Sequence, residues 1–176
     1  DIKMNTTSSA AKKQVPMTWK NERDAKLWLA TRLNCVGNIV MKEYQVKGTS
    51  KRIDYILQSS DVMIPIEVKR SLISAAEIGK AAAQANDYAR ECGRPVFVGP
   101  VMHDKEYRMK AFKMANVGYA RFNVGFIWCG NDNCDFYLGE KPIIRFSFQY
   151  GLYTNMDHYV YRQSCGSKRV VREVKK

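Results

Sequence analysis

Ionisable side chains interrupt two apolar runs in the middle of this chain. In RIDYILQSSDVMIPIEVKRS, residues 52–71, Asp54 lies within IDYIL, and Glu67 and Lys69 stand two apart within VMIPIEVK. A charge taken out of water is costly unless it is paired or holds a metal. Side chains alternate across a strand, so Ile64, Ile66 and Val68 share one face and Pro65, Glu67 and Lys69 the other. Glu67 and Lys69 then emerge side by side, about 7 Å apart along the strand. If the IDYIL strand pairs beside this one, Asp54 reaches the same place. Two converging carboxylates are hard oxygen ligands of the kind Mg2+ takes, with the Lys69 ammonium balancing the remaining charge. On a phosphodiester, such an ion polarises a phosphoryl oxygen and lowers the pKa of a bound water. Lys69 can orient or help deprotonate that water, or stabilise charge in the transition state. The simpler alternative is a surface salt bridge between Glu67 and Lys69, with Asp54 solvated on an edge strand. The apolar flanks and the basic character of the chain weigh against it.

The elements that must hold these residues can be read around them. TWKNERDAKLWLATRL, residues 18–33, reads as a helix with Thr18 as its N-cap and Trp19, Leu29 and Leu33 on an apolar stripe. NIVMKEYQV follows as a strand, and KGTSK turns into IDYIL. The short QSSD connection then leads into VMIPIEVK, so the three strands form an antiparallel meander. Ser74 and Glu77 form a capping box that opens the helix SAAEIGKAAAQANDYAREC, and Gly93 closes it. Ile78, Ala82, Ala85, Ala89 and Cys92 fall on one face of that helix, small enough to let it lie close to a sheet. RPVFVGPV is a fourth strand, made parallel by a right-handed crossover. A basic helix around KEYRMKAFKMANVGYA and a fifth strand, GFIWCG, complete an α/β fold with an αβββαβ core, a mixed sheet flanked by helices. Residues 1–17 read as a flexible basic arm, and residues 18–128 as the core. Residues 129–176 read as a C-terminal β extension with the aromatic strands FYLG and PIIRFSFQYGLY and a basic tail.

The chain has 176 residues, enough for one domain with a real core. Its 29 Lys and Arg against 17 Asp and Glu give a net charge of +12, spread along the sequence. A polyanion is the natural partner of such a surface, because each neutralised phosphate releases counterions. No run is apolar and long enough for a membrane span, and no signal-peptide pattern is visible. Cys35, Cys92, Cys129, Cys134 and Cys165 are odd in number and irregularly spaced, so reduced thiols and an intracellular location are expected. Cys129 and Cys134 in CGNDNC have a zinc-compatible spacing, but Cys165 and His158 are far away. A turn between two strands is the preferred reading.

On Ile53–Asp54 and Glu67–Val68–Lys69 in their strand–turn–strand–helix setting, residues 18–128 resemble the PD-(D/E)xK nuclease superfamily. That superfamily includes restriction enzymes, Holliday-junction resolvases and RecB-like nucleases. The resemblance implies a restriction-endonuclease-like fold, one or two Mg2+ or Mn2+ ions held by Asp54 and Glu67, and cleavage of phosphodiesters. Ile replaces the motif's Pro before Asp54, which touches no ligand. Gln84 and Tyr88, in QANDY, match the Q-x-x-x-Y motif of RecB-like members. The match implies that Gln84 holds the site or a DNA phosphate and that Tyr88 supports it. Glu22 matches the helical Glu that many members add as a metal ligand, with Glu43 as its rival. No His precedes residue 103, which argues against the cap-snatching viral branch, and the cysteine spacing does not fit iron–sulfur members. Lys51, Arg52, Arg70, Lys80 and Arg90 flank the site and are candidates for the phosphate backbone. The expected function is therefore a metal-dependent deoxyribonuclease, preferably an endonuclease, with a homodimer as its candidate assembly. An exonuclease, an RNA substrate and a non-catalytic nucleic-acid-binding module remain the alternatives. The nucleus, the cytoplasm and a viral context are all compatible with these features.

Overall fold

The computed structural model describes residues 18–34, 39–46, 52–59, 62–102, 105–115, 124–138, 141–148, 152–155 and 171–173. Helix α1 (Glu22–Asn34) precedes strands β1 (Ile39–Val46), β2 (Arg52–Ser59) and β3 (Val62–Val68). Helix α2 (Ala75–Cys92) leads to β4 (Val96–Met102), and α3 (Lys105–Ala115) leads to β5 (Val124–Cys129). Strands β6 (Asn133–Leu138), β7 (Lys141–Ser147), β8 (Leu152–Asn155) and β9 (Val171–Glu173) complete the described elements.

The strands form one mixed sheet in the order β8-β7-β6-β5-β4-β3-β2-β1-β9. The short connections of the first three strands return the chain antiparallel. Crossovers through α2 and α3 make β3, β4 and β5 parallel, because a parallel neighbour needs a connection long enough to span the sheet. The aromatic segment after Cys129 continues the same sheet antiparallel through β6, β7 and β8. In the basic tail, β9 pairs with the outer edge of β1.

Two apolar layers cover the sheet. Ala25, Leu29 and Leu33 of α1 pack with Tyr55, Leu57, Ile64, Ile66, Val68 and Phe97. Ile78, Ala82, Ala85 and Ala89 of α2 pack with Val96, Val98, Val101 and Phe112 on the other side. Glu67 lies between Ile66 and Val68, so alternation turns it toward the α2 layer. The capping box of α2 forms as expected: the Ser74 side chain accepts from Glu77 N–H, and the Glu77 side chain accepts from Ser74 N–H. Gly93 ends that helix in the left-handed conformation, φ 68°.

Three readings from sequence need correction. The N-cap of α1 is Asn21, whose Oδ1 accepts from Asp24 N–H at 2.8 Å. Thr18 instead donates its hydroxyl to the Arg70 carbonyl at 3.0 Å. Trp19 is buried but precedes the helix, and its N–H also donates to the Arg70 carbonyl, at 3.0 Å. Lastly, Cys129 and Cys134 are not reduced thiols but a disulfide. The CGNDNC turn closes a hairpin whose register sets the two residues directly opposite, with Cα atoms 4.3 Å apart. Cys92 is buried and stands outside this disulfide; Cys35, Cys165 and His158 lie outside the described residues.

Candidate functional site

The backbone ladder between β2 and β3 runs from Ser59↔Val62 to Tyr55↔Ile66. At the next pair, side chains take over the bonding. Asp54 N–H donates to Glu67 Oε1 at 3.3 Å, and Val68 N–H donates to Asp54 Oδ2 at 2.8 Å. The regular alternation of β2 also breaks here. Strict period two would put Ile53 with Tyr55 and Leu57, yet Ile53 packs with Ile56 and Cys92. Asp54 thus sits where the strands part, with one oxygen bonded across to β3 and the other directed to α1.

That second oxygen, Oδ1, meets Lys26 Nζ at 2.9 Å, and the same ammonium lies 3.8 Å from Glu22 Oε1. Lys26 was not singled out from sequence. A signal for it existed: Glu22 and Lys26 are four apart, so they share a helix face. The counter-charge that strand alternation assigned to Lys69 comes, at Asp54, from Lys26. Burial alone would depress the Lys26 ammonium, but the Asp54 hydrogen bond and the charges of Asp54, Glu22 and Glu67 outweigh it and hold its pKa raised.

Glu67 is only 4% exposed. Burial first, and the neighbouring Asp54 carboxylate second, push its pKa up to about 8, while the Lys69 charge and the Asp54 N–H pull the other way. Lys69 follows the end of β3. Its backbone N–H donates to the Gly99 carbonyl at 2.9 Å, tying it to β4. A side chain at Gly99 would place its Cβ 2.7 Å from Ile127 Cβ, so only glycine allows this approach of β4 and β5. The Lys69 ammonium donates to Gln84 Oε1 at 2.6 Å, and Gln84 Nε2 donates to the Tyr88 hydroxyl at 3.1 Å. Burial pushes the Tyr88 phenol up, so it remains a neutral hydroxyl.

An open cleft of about 570 Å³ runs between the start of α1 and the start of α2, lined by Glu22, Lys69, Arg70, Ser71, Glu77, Lys80, Ala81 and Gln84. The opening of α1 is docked there because residues 18 and 19 bond to the Arg70 carbonyl, one residue beyond Lys69. Of the residues expected from sequence, Asp54, Glu67, Lys69 and Gln84 come together, and Tyr88 buttresses Gln84. Glu22 lines the cleft and faces Lys26. Arg70 and Lys80 are exposed on its wall. Arg52 and Arg90 are exposed but do not line it, Glu43 falls on β1, and Lys51 and His103 lie outside the described residues.

The donor set suits a hard cation: Asp54 and Glu67 supply carboxylate oxygens, and an ammonium already occupies one of them. The raised pKa of Glu67 marks a place where negative charge lacks full compensation. Among the described residues, no three His, Cys, Asp or Glu side chains are grouped as a metal site, so Glu22 does not join Asp54 and Glu67 in this arrangement. No helix among the described residues is long and apolar enough to cross a membrane. Compared with protein-family models, with curated proteins and with solved structures, the chain matches none.

Proposed function

We propose that the chain is a divalent-metal-dependent nuclease of restriction-endonuclease-like fold that hydrolyses phosphodiester bonds in DNA, acting as an endonuclease. One observation carries this reading. Asp54 and Glu67 meet where β2 and β3 part, and Lys69, two residues on, is held by Gln84 at the wall of an open cleft. The charge of +12 supports a polyanionic substrate.

Asp54 and Glu67 would hold Mg2+ or Mn2+, and Glu22 of α1 faces the same Lys26 ammonium as Asp54. When bound, the ion supplies Lewis acidity for a phosphoryl oxygen and a more acidic water. The protein's own groups do the rest. Lys69 places a fixed positive charge beside the carboxylates, where negative charge develops on the phosphate. Gln84 orients that ammonium through Oε1, and Tyr88 fixes the Gln84 amide in turn. Arg70 and Lys80 on the cleft wall are suited to backbone phosphates, which position the strand without reading its sequence.

The Lys69–Gln84–Tyr88 chain also favours a second reading, a RecB-like exonuclease, on the Q-x-x-x-Y resemblance. Circular DNA separates the two: an endonuclease cuts it, whereas an exonuclease leaves circles intact and degrades linear molecules. The test is cleavage of labelled linear and circular DNA, with an RNA arm, under Mg2+ and under Mn2+. Asp54→Ala and Lys69→Ala are each expected to abolish cleavage. Cleavage that survives both substitutions would refute this site, and tight binding without cleavage would make the chain a nucleic-acid-binding module.

A further inference from the structure

We propose that Lys26 is the resident counter-ion of this site, holding the Asp54 oxygen that a divalent ion needs and thereby setting the concentration at which that ion enters. This rests on the metal-dependent reading above and adds its control. Asp54 Oδ2 already accepts from Val68 N–H, so Oδ1 is the oxygen on which a cation meets no competing backbone donor. The Lys26 ammonium has it, at 2.9 Å, and extends toward Glu22 Oε1 at 3.8 Å.

The backbone holds Lys26 in place. Its carbonyl accepts a hydrogen bond from the Tyr55 hydroxyl at 2.9 Å, and Tyr55 is the residue next to Asp54. Adjacent residues of β2 therefore grip both ends of Lys26, the side chain through Asp54 and the main chain through Tyr55. The Lys26 side chain is 30% exposed, so its ammonium has a path to water when displaced, and its anchored backbone keeps it within reach for return. Lysine suits this part because it is a compact charge on a flexible stem, whereas a planar guanidinium would be harder to exchange. One ammonium cannot serve Asp54, Glu22 and Glu67 equally, and a divalent ion brings twice its charge. Metal entry is then an exchange of cations on a carboxylate already held in position. Losing one charge-assisted hydrogen bond of this kind shifts such an exchange by about tenfold.

The test uses the whole chain without DNA. Mn2+ affinity, read from the electron paramagnetic resonance of free Mn2+, is compared for wild type, Lys26→Met, Lys26→Arg and Asp54→Asn. Lys26→Met is expected to bind Mn2+ about tenfold more tightly than wild type, Lys26→Arg no more tightly than wild type, and Asp54→Asn far more weakly. Independently, in 15N-labelled wild type the Lys26 ammonium resonance is expected in EDTA and should shift or vanish as Mg2+ is added. This second measurement decides the matter if Lys26→Met does not fold. Unchanged or weaker Mn2+ binding by a folded Lys26→Met, or a Lys26 signal indifferent to Mg2+, would overturn the proposal. Wild type that binds no Mn2+ would overturn both this inference and the metal-dependent reading. Tighter binding by Lys26→Met in a protein that cuts no DNA would overturn the nuclease reading alone.

Discussion

Replacing Glu67 with Gln tests the electrostatics of the site without relying on catalysis. Glutamine keeps the shape of the side chain and an oxygen to accept from Asp54 N–H, and it imitates a carboxyl that never ionises. In the metal-free fold Glu67 titrates at about 8, against 4.5 when unfolded. Between those values the folded chain carries a proton that the unfolded chain has released. Stability from this group is therefore complete below pH 4.5 and is lost as pH rises through about 8, at about 1.4 kcal/mol per pH unit. Across the whole window the loss is on the order of 5 kcal/mol. Glu67→Gln removes it. The assay is urea unfolding in EDTA from pH 5 to pH 9, for wild type and variant. The two should be close at pH 5, and the variant should be more stable by several kcal/mol at pH 9. Saturating Mg2+ should restore wild type at high pH, by about 3 kcal/mol at a hundred times its Kd, and help the variant less. Parallel curves for the two proteins in EDTA would refute the account of Glu67 as a buried, undercompensated carboxyl.

Two further outcomes follow from other contacts. Gln84→Ala should leave Mn2+ binding near wild type but lower the DNA-cleavage rate about 10- to 100-fold, because it frees the Lys69 ammonium that Gln84 orients; single-turnover kinetics would show this. Arg145→Met should cost about 3–5 kcal/mol in urea unfolding, because it leaves the fully buried Asp135 carboxylate without the guanidinium that meets both its oxygens at 2.7 Å.

Much of this arrangement is legible in local sequence because it depends on local chemistry. The capping box at Ser74 and Glu77, the glycine stop at Gly93 and the alanine face of α2 each depend on neighbours within a turn or two. The antiparallel meander of β1–β3 follows from short connections, and the parallel β4 from a helix-length one. Thr18 was misread as a cap because Asn21, also a good capping residue, stands closer to the helical run. What draws Thr18 away is a bond to Arg70, 52 residues on. The disulfide escaped because an odd count of irregularly spaced cysteines says nothing of register, and only the β5–β6 pairing sets Cys129 opposite Cys134.

For the site itself, residue type and period-two spacing were enough to mark Asp54, Glu67 and Lys69 and to put the latter two on one face. Helical spacing paired Gln84 with Tyr88, and the hydrogen bond between them agrees. Tertiary structure alone decided how the charges are compensated. Where β2 and β3 part, carboxylates replace ladder bonds, and packing of α1 over the sheet brings Lys26 to Asp54 from 28 positions away. Local patterns record which groups a segment presents. Which opposite charge reaches a buried carboxylate depends on how distant elements pack, because attraction in a desolvated site is settled by a few ångströms of approach.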